Sequence, residues 1–425
     1  MQKLLNLAIG SILSLLAIAG TAHAQTKLEI VHAWGGHARF HVPIAEAFMA
    51  QNPDIEIIYR APMSGYGEGH QAILRQAMAN DLPDIWYSPF NLLGELVTTL
   101  ERRSQLLPLD DLLASEGESW IAQNYAPNVL ALGQVDGKQW GMPFNASTPI
   151  VYYNVDLITA ASGDPENPPQ TWEDMITLGK KISSLGEDID SLGFSVSEWG
   201  DDWLWQALVY DFGGTMMNAE KTEVTFGDAA GLAAVELLAR LPKEMKVPVI
   251  SEDQMIQQFA AGKLGMIVAS TAEVRGMGEL VGQNFKWTTG PFPIVSADSG
   301  LPTGGNAATI LTTDPEKRKA AWEFIKFATG PEGQKIAVLG SGYMPTNLRT
   351  MEAAHLGDYY ASNPDWTTSM NQWPVAKSWF GYPGNKGAEI WREQQSILAN
   401  IVRSEVTPAD GLAQLVQVTQ SRIDQ

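Results

Sequence analysis

A regular alternation of short apolar strands and amphipathic helices runs through the first part of the chain and leaves few possible folds. Strands are predicted at Lys27–Trp34, Ile55–Tyr59 and Ile85–Tyr87. Between them, one helix contains Pro43 and ends before Pro53, and a second helix covers His70–Asn80. Strands and helices that alternate at this spacing are typical of right-handed βαβ units, and they predict a parallel sheet in an α/β fold.

The same alternation continues along the chain, with more helix toward the end. Further strands are predicted at Val151–Asn154, Phe194–Val196, Leu264–Ala269 and Ala307–Thr312. Further helices are predicted at Thr171–Leu185, Asp202–Phe212, Leu232–Arg240, Asp253–Ala261, Glu316–Thr329 and Pro331–Leu339. Turn-rich joints near residues 133–141, 276–290 and 297–305 indicate that the chain passes between two lobes more than once.

Length and charge exclude several classes of protein. The chain has 425 residues, which is too long for one typical domain of roughly 100–200 residues, so two domains are expected. Hydrophobic residues make up 45% and charged residues 18%. Because disordered chains have few hydrophobic residues and many charged ones, this composition predicts a folded protein. The net charge of −20 repels phosphate backbones and anionic lipids, so neither nucleic acid nor a membrane surface is an expected partner.

The N-terminal segment has the features of a secretory signal peptide over residues 1–24. Lys3 precedes an apolar run, Leu4–Ala19, and Ala22-His23-Ala24 provides a cleavage pattern before Gln25. The alternative, an uncleaved anchor helix, needs about 20 spanning residues and is less favoured. The chain contains no cysteine, which excludes disulfides, thiolate sites and a lipid on an N-terminal cysteine. We therefore expect a soluble, exported protein in a bacterial periplasm.

No catalytic motif stands out in the sequence. There is no GxSxG, phosphate-binding loop or dinucleotide fingerprint. His32, His37 and His41 could suggest a metal site, but contact with a ligand from the loop Ala33–His37 is favoured, and no metal or cofactor is predicted. The acidic pair Asp201-Asp202 lies among tryptophans, so a secreted carbohydrate-active enzyme remains an alternative.

Short polar turns rich in glycine, serine and threonine recur along the chain. Small residues allow backbone N–H groups to approach the oxygen atoms of a ligand, and neighbouring aromatic rings offer flat apolar faces. The turns lie at 64–69, 144–149, 270–273, 303–306 and 341–345. Together they predict a binding cleft for a small polar molecule.

Several segments resemble the extracellular solute-binding proteins of ABC importers, family 1, and especially the branch that binds glycerol 3-phosphate and sugars. The segments that carry the resemblance are AEAFMAQNPDIEI, ANDLPDIWYS, PFNASTPIVYYNVDL, QTWEDMITLGKKI and RKAAWEFIKFATGPEGQKIAVLGSGYMPTN. The resemblance covers essentially the whole chain after the predicted signal peptide.

This resemblance implies a non-enzymatic receptor with the two-lobed periplasmic-binding-protein fold. Lobe 1 is expected to contain residues 25–135 and 272–325, and lobe 2 residues 136–271 and 326–425. The lobes are expected to close on one solute by a hinge motion. The expected partners are a small polar solute (a sugar, a sugar derivative or a glycerol phosphate ester) and the permease subunits of the importer, and the protein is expected to be a monomer.

The resemblance also implies a set of ligand-binding residues. They are Tyr66, Ser147, Trp199, Trp203, Ser270, Thr271, Gly304, Gly305, Tyr343 and Arg392. Arg392 would offer a planar, permanently charged fork to phosphate, sulfonate or carboxylate oxygens. Its alternative role is a surface ion pair with Glu389 or Glu393.

One departure from the glycerol-phosphate branch affects the expected ligand. Where that branch has a carboxylate after the third strand, this chain has Trp86-Tyr87-Ser88-Pro89. The sequence therefore favours an anionic solute and leaves a neutral or sulfonated sugar as the alternative.

Overall fold

The computed structural model describes residues 25–296, 298–384 and 386–424. The predicted signal peptide lies outside these residues. Within them, no helix is both long enough and apolar enough to cross a membrane.

The described chain alternates strands and helices along most of its length. The strands are β1 Thr26–Val31, β2 Ile55–Tyr59, β3 Ile85–Pro89, β4 Gln134–Val135, β5 Lys138–Gln139, β6 Gly141–Ser147, β7 Pro149–Asn154, β8 Asp190–Gly193, β9 Leu264–Ser270, β10 Trp287–Pro291, β11 Leu301–Ile310 and β12 Ala376–Ser378. The helices are α1 Ala38–Gln51, α2 Tyr66–Ala79, α3 Leu93–Glu101, α4 Asp110–Glu116, α5 Glu118–Asn124, α6 Pro127–Leu130, α7 Val155–Ala160, α8 Trp172–Ser183, α9 Trp203–Asp211, α10 Ala229–Glu244, α11 Glu252–Ala260, α12 Val274–Val281, α13 Pro315–Ala328, α14 Pro331–Leu339, α15 Gly357–Ser362, α16 Gly387–Val402 and α17 Pro408–Ile423. Short 3-10 helices lie at Gly35–His37, Phe90–Leu92, Ala131–Gly133, Val196–Glu198, Thr271–Glu273, Leu348–Met351, Pro364–Trp366 and Met370–Val375.

The first sheet begins with the parallel unit that the sequence predicts. β1 pairs in parallel with β2 and with β3, and the long strand β11 pairs antiparallel with β3. β11 also pairs with β6 and β12, so the sheet has six strands. Helices α1, α13 and α14 pack on this sheet and on one another, which buries the apolar faces of β1 and α1.

The second sheet is smaller and mixed. Its strand order is β10-β7-β9-β8, with β8 parallel to β9 and the other pairs antiparallel. Every residue of β7 is buried, as expected for the central strand of a sheet covered on both faces. Helices α10, α16 and α17 pack together, and α10 contacts α8, which packs on β8 of this sheet.

The chain passes between the two sheets at several short segments. Thr148 alone separates β6 of the first sheet from β7 of the second, and residues 292–300 join β10 to β11. The buried side chain of Gln372 binds both crossings: its amide donates to Thr148 Oγ1 (2.7 Å), and its carbonyl accepts from the Phe292 N–H (2.7 Å). The two crossings are therefore fastened to each other.

Several predicted elements differ from the structure. The predicted turn 303–306 lies inside the long strand β11, and the predicted turn 144–149 is mostly β6. Two further differences have identifiable reasons. The strand expected at Phe194–Val196 is instead β8, four residues earlier, because the chain turns into a 3-10 helix at Val196. Helix α2 begins at Tyr66, inside the predicted loop 64–69, since Gly65 provides an extended N-cap and Glu68 lies in the favourable first turn.

Candidate ligand-binding cleft

A cavity of about 540 Å³ lies between the helices of the two sheets. From the first-sheet side it is lined by α2 and the turn after β3, and from the second-sheet side by the loop before α9 and by α16. The lining residues are Tyr66, Gly67, Glu68, Gln71, Arg75, Asn91, Leu92, Gly200, Asp201, Asp202, Trp379, Phe380, Gly381, Tyr382, Gly387, Ala388, Trp391, Arg392 and Gln395.

Tyr66 is a predicted site residue that lines this cavity. It is the first residue of α2, and its hydroxyl accepts a hydrogen bond from Asn306 Nδ2 at 3.0 Å. The ring of Trp34 meets it edge-on, with centroids 4.3 Å apart. Burial raises the pKa of the Tyr66 hydroxyl, so this group is neutral and can donate or accept hydrogen bonds.

Arg392 is the second predicted site residue in the lining. It lies on α16 with an exposed side chain, and its Nε donates to the carbonyl oxygen of Ala388 at 3.3 Å. The two carboxylates considered as its surface partners have other partners: Glu389 pairs with Lys386 and Glu393 with Arg422. Within the described residues no carboxylate forms an ion pair with Arg392. Its guanidinium is thus available to the cavity.

Two adjacent aspartates lie in the same cavity. Asp202 accepts hydrogen bonds from Trp379 Nε1 (3.0 Å) and Gln206 Nε2 (2.8 Å), whereas Asp201 accepts one from the backbone N–H of Trp203 (3.1 Å). Burial is the main cause that raises the pKa of Asp201 to about 7 and that of Asp202 to about 6. The charge of Asp202 raises the pKa of Asp201 further. Such carboxyl groups can receive hydrogen bonds from solute hydroxyls.

One wall of the cavity is an irregular segment, Trp379–Tyr382, that sequence reasoning missed. It follows β12 of the first sheet and leads to α16. The backbone of Phe380 forms two hydrogen bonds with the buried side chain of Gln206, each 2.9 Å long. A Cβ at Gly381 would lie only 2.0 Å from the carbonyl oxygen of Asn91, so this close approach requires glycine. We refer to residues 379–382 as the strap.

Four predicted site residues lie together behind the cavity lining. Trp203 is buried, and its Nε1 donates to the Pro302 carbonyl oxygen at 2.9 Å. A Cβ at Gly304 would lie 2.9 Å from Ser147 Oγ and 3.0 Å from the Trp203 ring, so these three residues are in close contact. The ring of Trp199 lies 6.2 Å from that of Trp203 and is also buried. None of the four is among the residues that line the cavity.

The remaining four predicted residues are also buried or partly buried outside the lining. Gly305 lies in β11 with φ of 127°, and a Cβ there would meet the carbonyl oxygen of Asn145 at 2.2 Å. Ser270 caps a 3-10 turn by accepting from the Ala272 N–H, and Thr271 Oγ1 donates to the Gly342 carbonyl oxygen. The next residue, Tyr343, lies beside Tyr66, since each hydroxyl affects the pKa of the other.

The three neighbouring histidines form an aromatic cluster. The rings of His32 and His41 stack with centroids 4.3 Å apart, and His41 stacks on Phe144 at 5.1 Å. Burial lowers the pKa of all three, that of His37 to about 3, so the imidazoles are neutral. No group of His, Asp or Glu among the described residues is arranged to hold a metal ion.

The segment Trp86-Tyr87-Ser88-Pro89, where the sequence predicts the loss of a carboxylate found in the glycerol-phosphate branch, is buried and lies outside the cavity lining. The carboxylates that do line the cavity are instead Glu68, Asp201 and Asp202. The sequence marked Asp201 and Asp202 only as a possible catalytic pair and Glu68 only as part of a polar turn. The strap and Arg75 were missed because no motif marks them.

A comparison with models of protein families assigns the chain to one family. The model described as bacterial extracellular solute-binding protein matches residues 43–368. The chain belongs to this family. Among curated relatives of this solute-binding protein is the sn-glycerol-3-phosphate-binding periplasmic protein UgpB of Escherichia coli K12, 22% identical over 373 residues that cover 84% of this chain and 82% of that protein. UgpB of Salmonella typhimurium is 23% identical over 382 residues, which cover 86% of this chain and 84% of that protein.

Solved structures share the fold. UgpB from Mycobacterium tuberculosis in complex with glycerophosphocholine superposes with a TM-score of 0.80 at 21% identity, over 93% of this chain and 99% of that one. The cyclic alpha-maltosyl-1,6-maltose binding protein from Arthrobacter globiformis gives 0.76 at 18% identity, over 94% and 99%. The predicted two-lobed periplasmic-binding-protein fold is confirmed.

Proposed function

We propose that this solute-binding protein is the periplasmic receptor of an ABC importer and delivers a small polar solute to the permease. The observation that carries the proposal is the cavity between the two sheets, since Tyr66 and Arg75 line it from one side and Trp391 and Arg392 from the other. A solute in this position contacts both lobes, so its binding free energy favours the closed form.

The lobes themselves follow the two sheets in this proposal. Lobe 1 is built on β1, β2, β3, β6 and β11, together with the helices α1, α13 and α14 that pack on them. Lobe 2 is built on the second sheet and on α10, α16 and α17. In this division residues 141–147 and 326–339 belong to lobe 1 and residues 272–291 to lobe 2, each opposite to the sequence-based expectation. In this proposal the hinge includes the crossing at Thr148, the connection between β10 and β11, and the strap, which follows β12 of lobe 1 and precedes α16 of lobe 2.

The solute favoured for this cavity has an anionic headgroup on a glycerol or carbohydrate body. Arg392 has no carboxylate partner among the described residues, and it presents donors that match a phosphate or sulfonate. The carboxyl groups of Asp201 and Asp202 are suited to solute hydroxyls, and in this proposal they take the role of the carboxylate that the glycerol-phosphate branch has after its third strand. Ser147, Ser270 and the backbone at Gly305 lie outside the lining, so a direct role for them requires a rearrangement on binding.

A neutral or sulfonated sugar is the second candidate. Trp379 and Trp391 offer aromatic faces, and carboxylates with aromatic rings are a suitable combination for a polyhydroxylated ring. An enzymatic role is less supported, because the named relatives are binding proteins.

Calorimetry combined with a thermal-shift panel tests the proposal. The panel contains glycerol 3-phosphate, glycerophosphocholine, a sulfonated sugar and maltose. A receptor should bind at least one of them with one-to-one stoichiometry and return it chemically unchanged, as checked by mass spectrometry. Conversion of a ligand to a product would contradict the receptor assignment, and binding of maltose alone would contradict the preference for an anion.

A further inference from the structure

Arg75 lies on the face of α2 that lines the cavity, opposite the helix that carries Arg392. Glu68, Gln71 and Arg75 are spaced by three and four residues along α2, so their side chains share one face of the helix. All three line the cavity together with Arg392 of α16. Two arginines thus enter the same space from helices that belong to different lobes.

Neither arginine has an acidic partner within the described residues. Five of the twelve described arginines do form an ion pair with a carboxylate, in a chain with 48 acidic and 28 basic residues. Arginines with carboxylate partners are Arg60, Arg240, Arg275, Arg349 and Arg422. In contrast, both Arg75 and Arg392 are exposed toward the cavity. When the lobes close, two unpaired positive charges approach each other, and an anion between them would remove the repulsion.

The charges of the cavity are separated along α2. Glu68 and Arg75 are seven residues apart, which corresponds to about 10 Å along a helix axis. Asp201 lies near the Glu68 end, since its charge affects the pKa of Tyr66 in the first turn of α2. The part of the cavity wall formed by α2 is therefore acidic near Tyr66 and basic at Arg75.

We propose that Arg75 and Arg392 form a two-armed clamp, one arm from each lobe, that holds a tetrahedral oxyanion of the solute, while the hydroxyl groups of the solute point to the acidic end. This inference rests on the proposed function and specifies it further. A phosphate or sulfonate offers three oxygen atoms that point in different directions, so it can accept hydrogen bonds from guanidinium groups on two opposite sides, whereas a carboxylate has only two oxygen atoms in one plane. In this arrangement Arg75 determines the specificity for tetrahedral oxyanions, and it also couples binding of the solute to closure of the lobes.

The test measures solute affinity by calorimetry in Arg75→Gln, Arg392→Gln and the double variant. The probes are glycerol 3-phosphate, glycerophosphocholine and a sulfonated sugar, with maltose as an uncharged reference. Lys319→Gln is the matched control, because Lys319 is an exposed cation on α13 of the same lobe and lies outside the cavity lining. Each single substitution should weaken binding of an oxyanion probe by about tenfold or more, as expected from loss of a charge-assisted hydrogen bond.

The outcomes separate the two proposals. Weaker oxyanion binding in both single variants, with Lys319→Gln close to wild type and unchanged melting temperatures without ligand, supports the clamp. If Arg392→Gln weakens binding but Arg75→Gln behaves like Lys319→Gln, the clamp is wrong and the receptor function stands. If the wild type binds maltose and none of the oxyanions, the clamp and the anion preference are both wrong. Binding of no probe, or turnover of one, contradicts the proposed function itself and the clamp with it.

Discussion

The amide of Gln372 donates a hydrogen bond to Thr148 Oγ1 over 2.7 Å, and both side chains are buried. Thr148 is the single residue between β6 and β7, where the chain leaves the first sheet for the second. The same amide nitrogen also donates to the Pro149 carbonyl oxygen at 2.9 Å. The side-chain carbonyl oxygen of Gln372 in turn accepts a hydrogen bond from the Phe292 N–H. Gln372 therefore links the crossing at Thr148 to the crossing that follows β10.

Replacement of Gln372 should therefore destabilise the protein and change closure. In Gln372→Ala the Phe292 N–H and the Pro149 carbonyl oxygen lose this partner, whereas Thr148 Oγ1 keeps its hydrogen bond with Ser369. The expected cost is about 1–3 kcal/mol in the free energy of unfolding for each group left unsatisfied. Denaturant unfolding measures this cost. Gln257→Ala, at an exposed position on α11, is the control and should stay close to wild type. Equal stability of the two variants would contradict a bracing role.

Arg392 should affect binding far more than stability. Hydrogen bonds to charged groups contribute about 1.5–3 kcal/mol, so Arg392→Ala should weaken oxyanion binding by roughly tenfold to over a hundredfold. Arg392→Lys should restore only part of the affinity, because a point charge cannot replace a bidentate fork. Titration calorimetry and melting curves without ligand measure both effects. Lower stability at unchanged affinity would instead indicate a structural role.

Tryptophan substitutions should separate the cavity lining from the packing behind it. Trp391 lines the cavity, and its buried Nε1 has no hydrogen-bond partner in the described structure. Trp391→Phe should weaken solute binding and reduce the change in fluorescence on binding. Trp203→Phe should lower the melting temperature, because the Pro302 carbonyl oxygen loses its donor. If Trp203→Phe reduces affinity without loss of stability, the solute reaches deeper than the cavity described above.

Much of the fold could be predicted because local signals and tertiary structure agree. Helix α14 has the predicted bounds, since Pro331 fixes its first turn and Gly340 follows its last residue. The parallel pairing of β1 with β2 and β3 follows from the alternation of strands and helices. Where a predicted strand has only three residues, as at Phe194–Val196, the sequence alone could not distinguish a strand from a turn.

Asp201 should make stability depend on pH. Its pKa is raised in the folded state to about 7, so folding favours the protonated form. The stabilisation from this proton is fully present below the ordinary aspartate pKa and is lost as pH rises through about 7. Asp201→Asn, which stays neutral, should therefore raise the melting temperature more at about pH 8 than at about pH 5.

The control for this pH effect is Asp188→Asn, since Asp188 is an exposed carboxylate in a loop. Differential scanning calorimetry of both variants across the pH range measures the difference. A gain that is the same at every pH, or larger at low pH, would show that Asp201 is charged in the folded protein.

Export should remove residues 1–24. The pattern Ala22-His23-Ala24 predicts cleavage before Gln25, so the intact mass of protein recovered from the periplasm should correspond to a chain that begins there. Retention of the N-terminal residues in that mass would contradict the predicted signal peptide.

The cavity was harder to predict than the fold, because its residues come from distant parts of the chain. Tyr66 and Arg392 were identified through family motifs, and both line the cavity. Arg75 lies on an ordinary amphipathic helix and carries no motif. The strap lies in an irregular segment whose position depends on contacts with Gln206 and Asn91. Such contacts are set by tertiary packing, which a single sequence does not display.

The strap also affects how the protein can release what it holds. Because residues 379–382 form a wall of the cavity and lead directly from β12 to α16, separation of the lobes must displace that wall. In the open protein the solute would then lose its contacts with the strap as well as its contacts with the opposite lobe. Transfer to a permease that pulls the lobes apart would thus need no competing ligand, since the mechanical opening itself lowers the affinity.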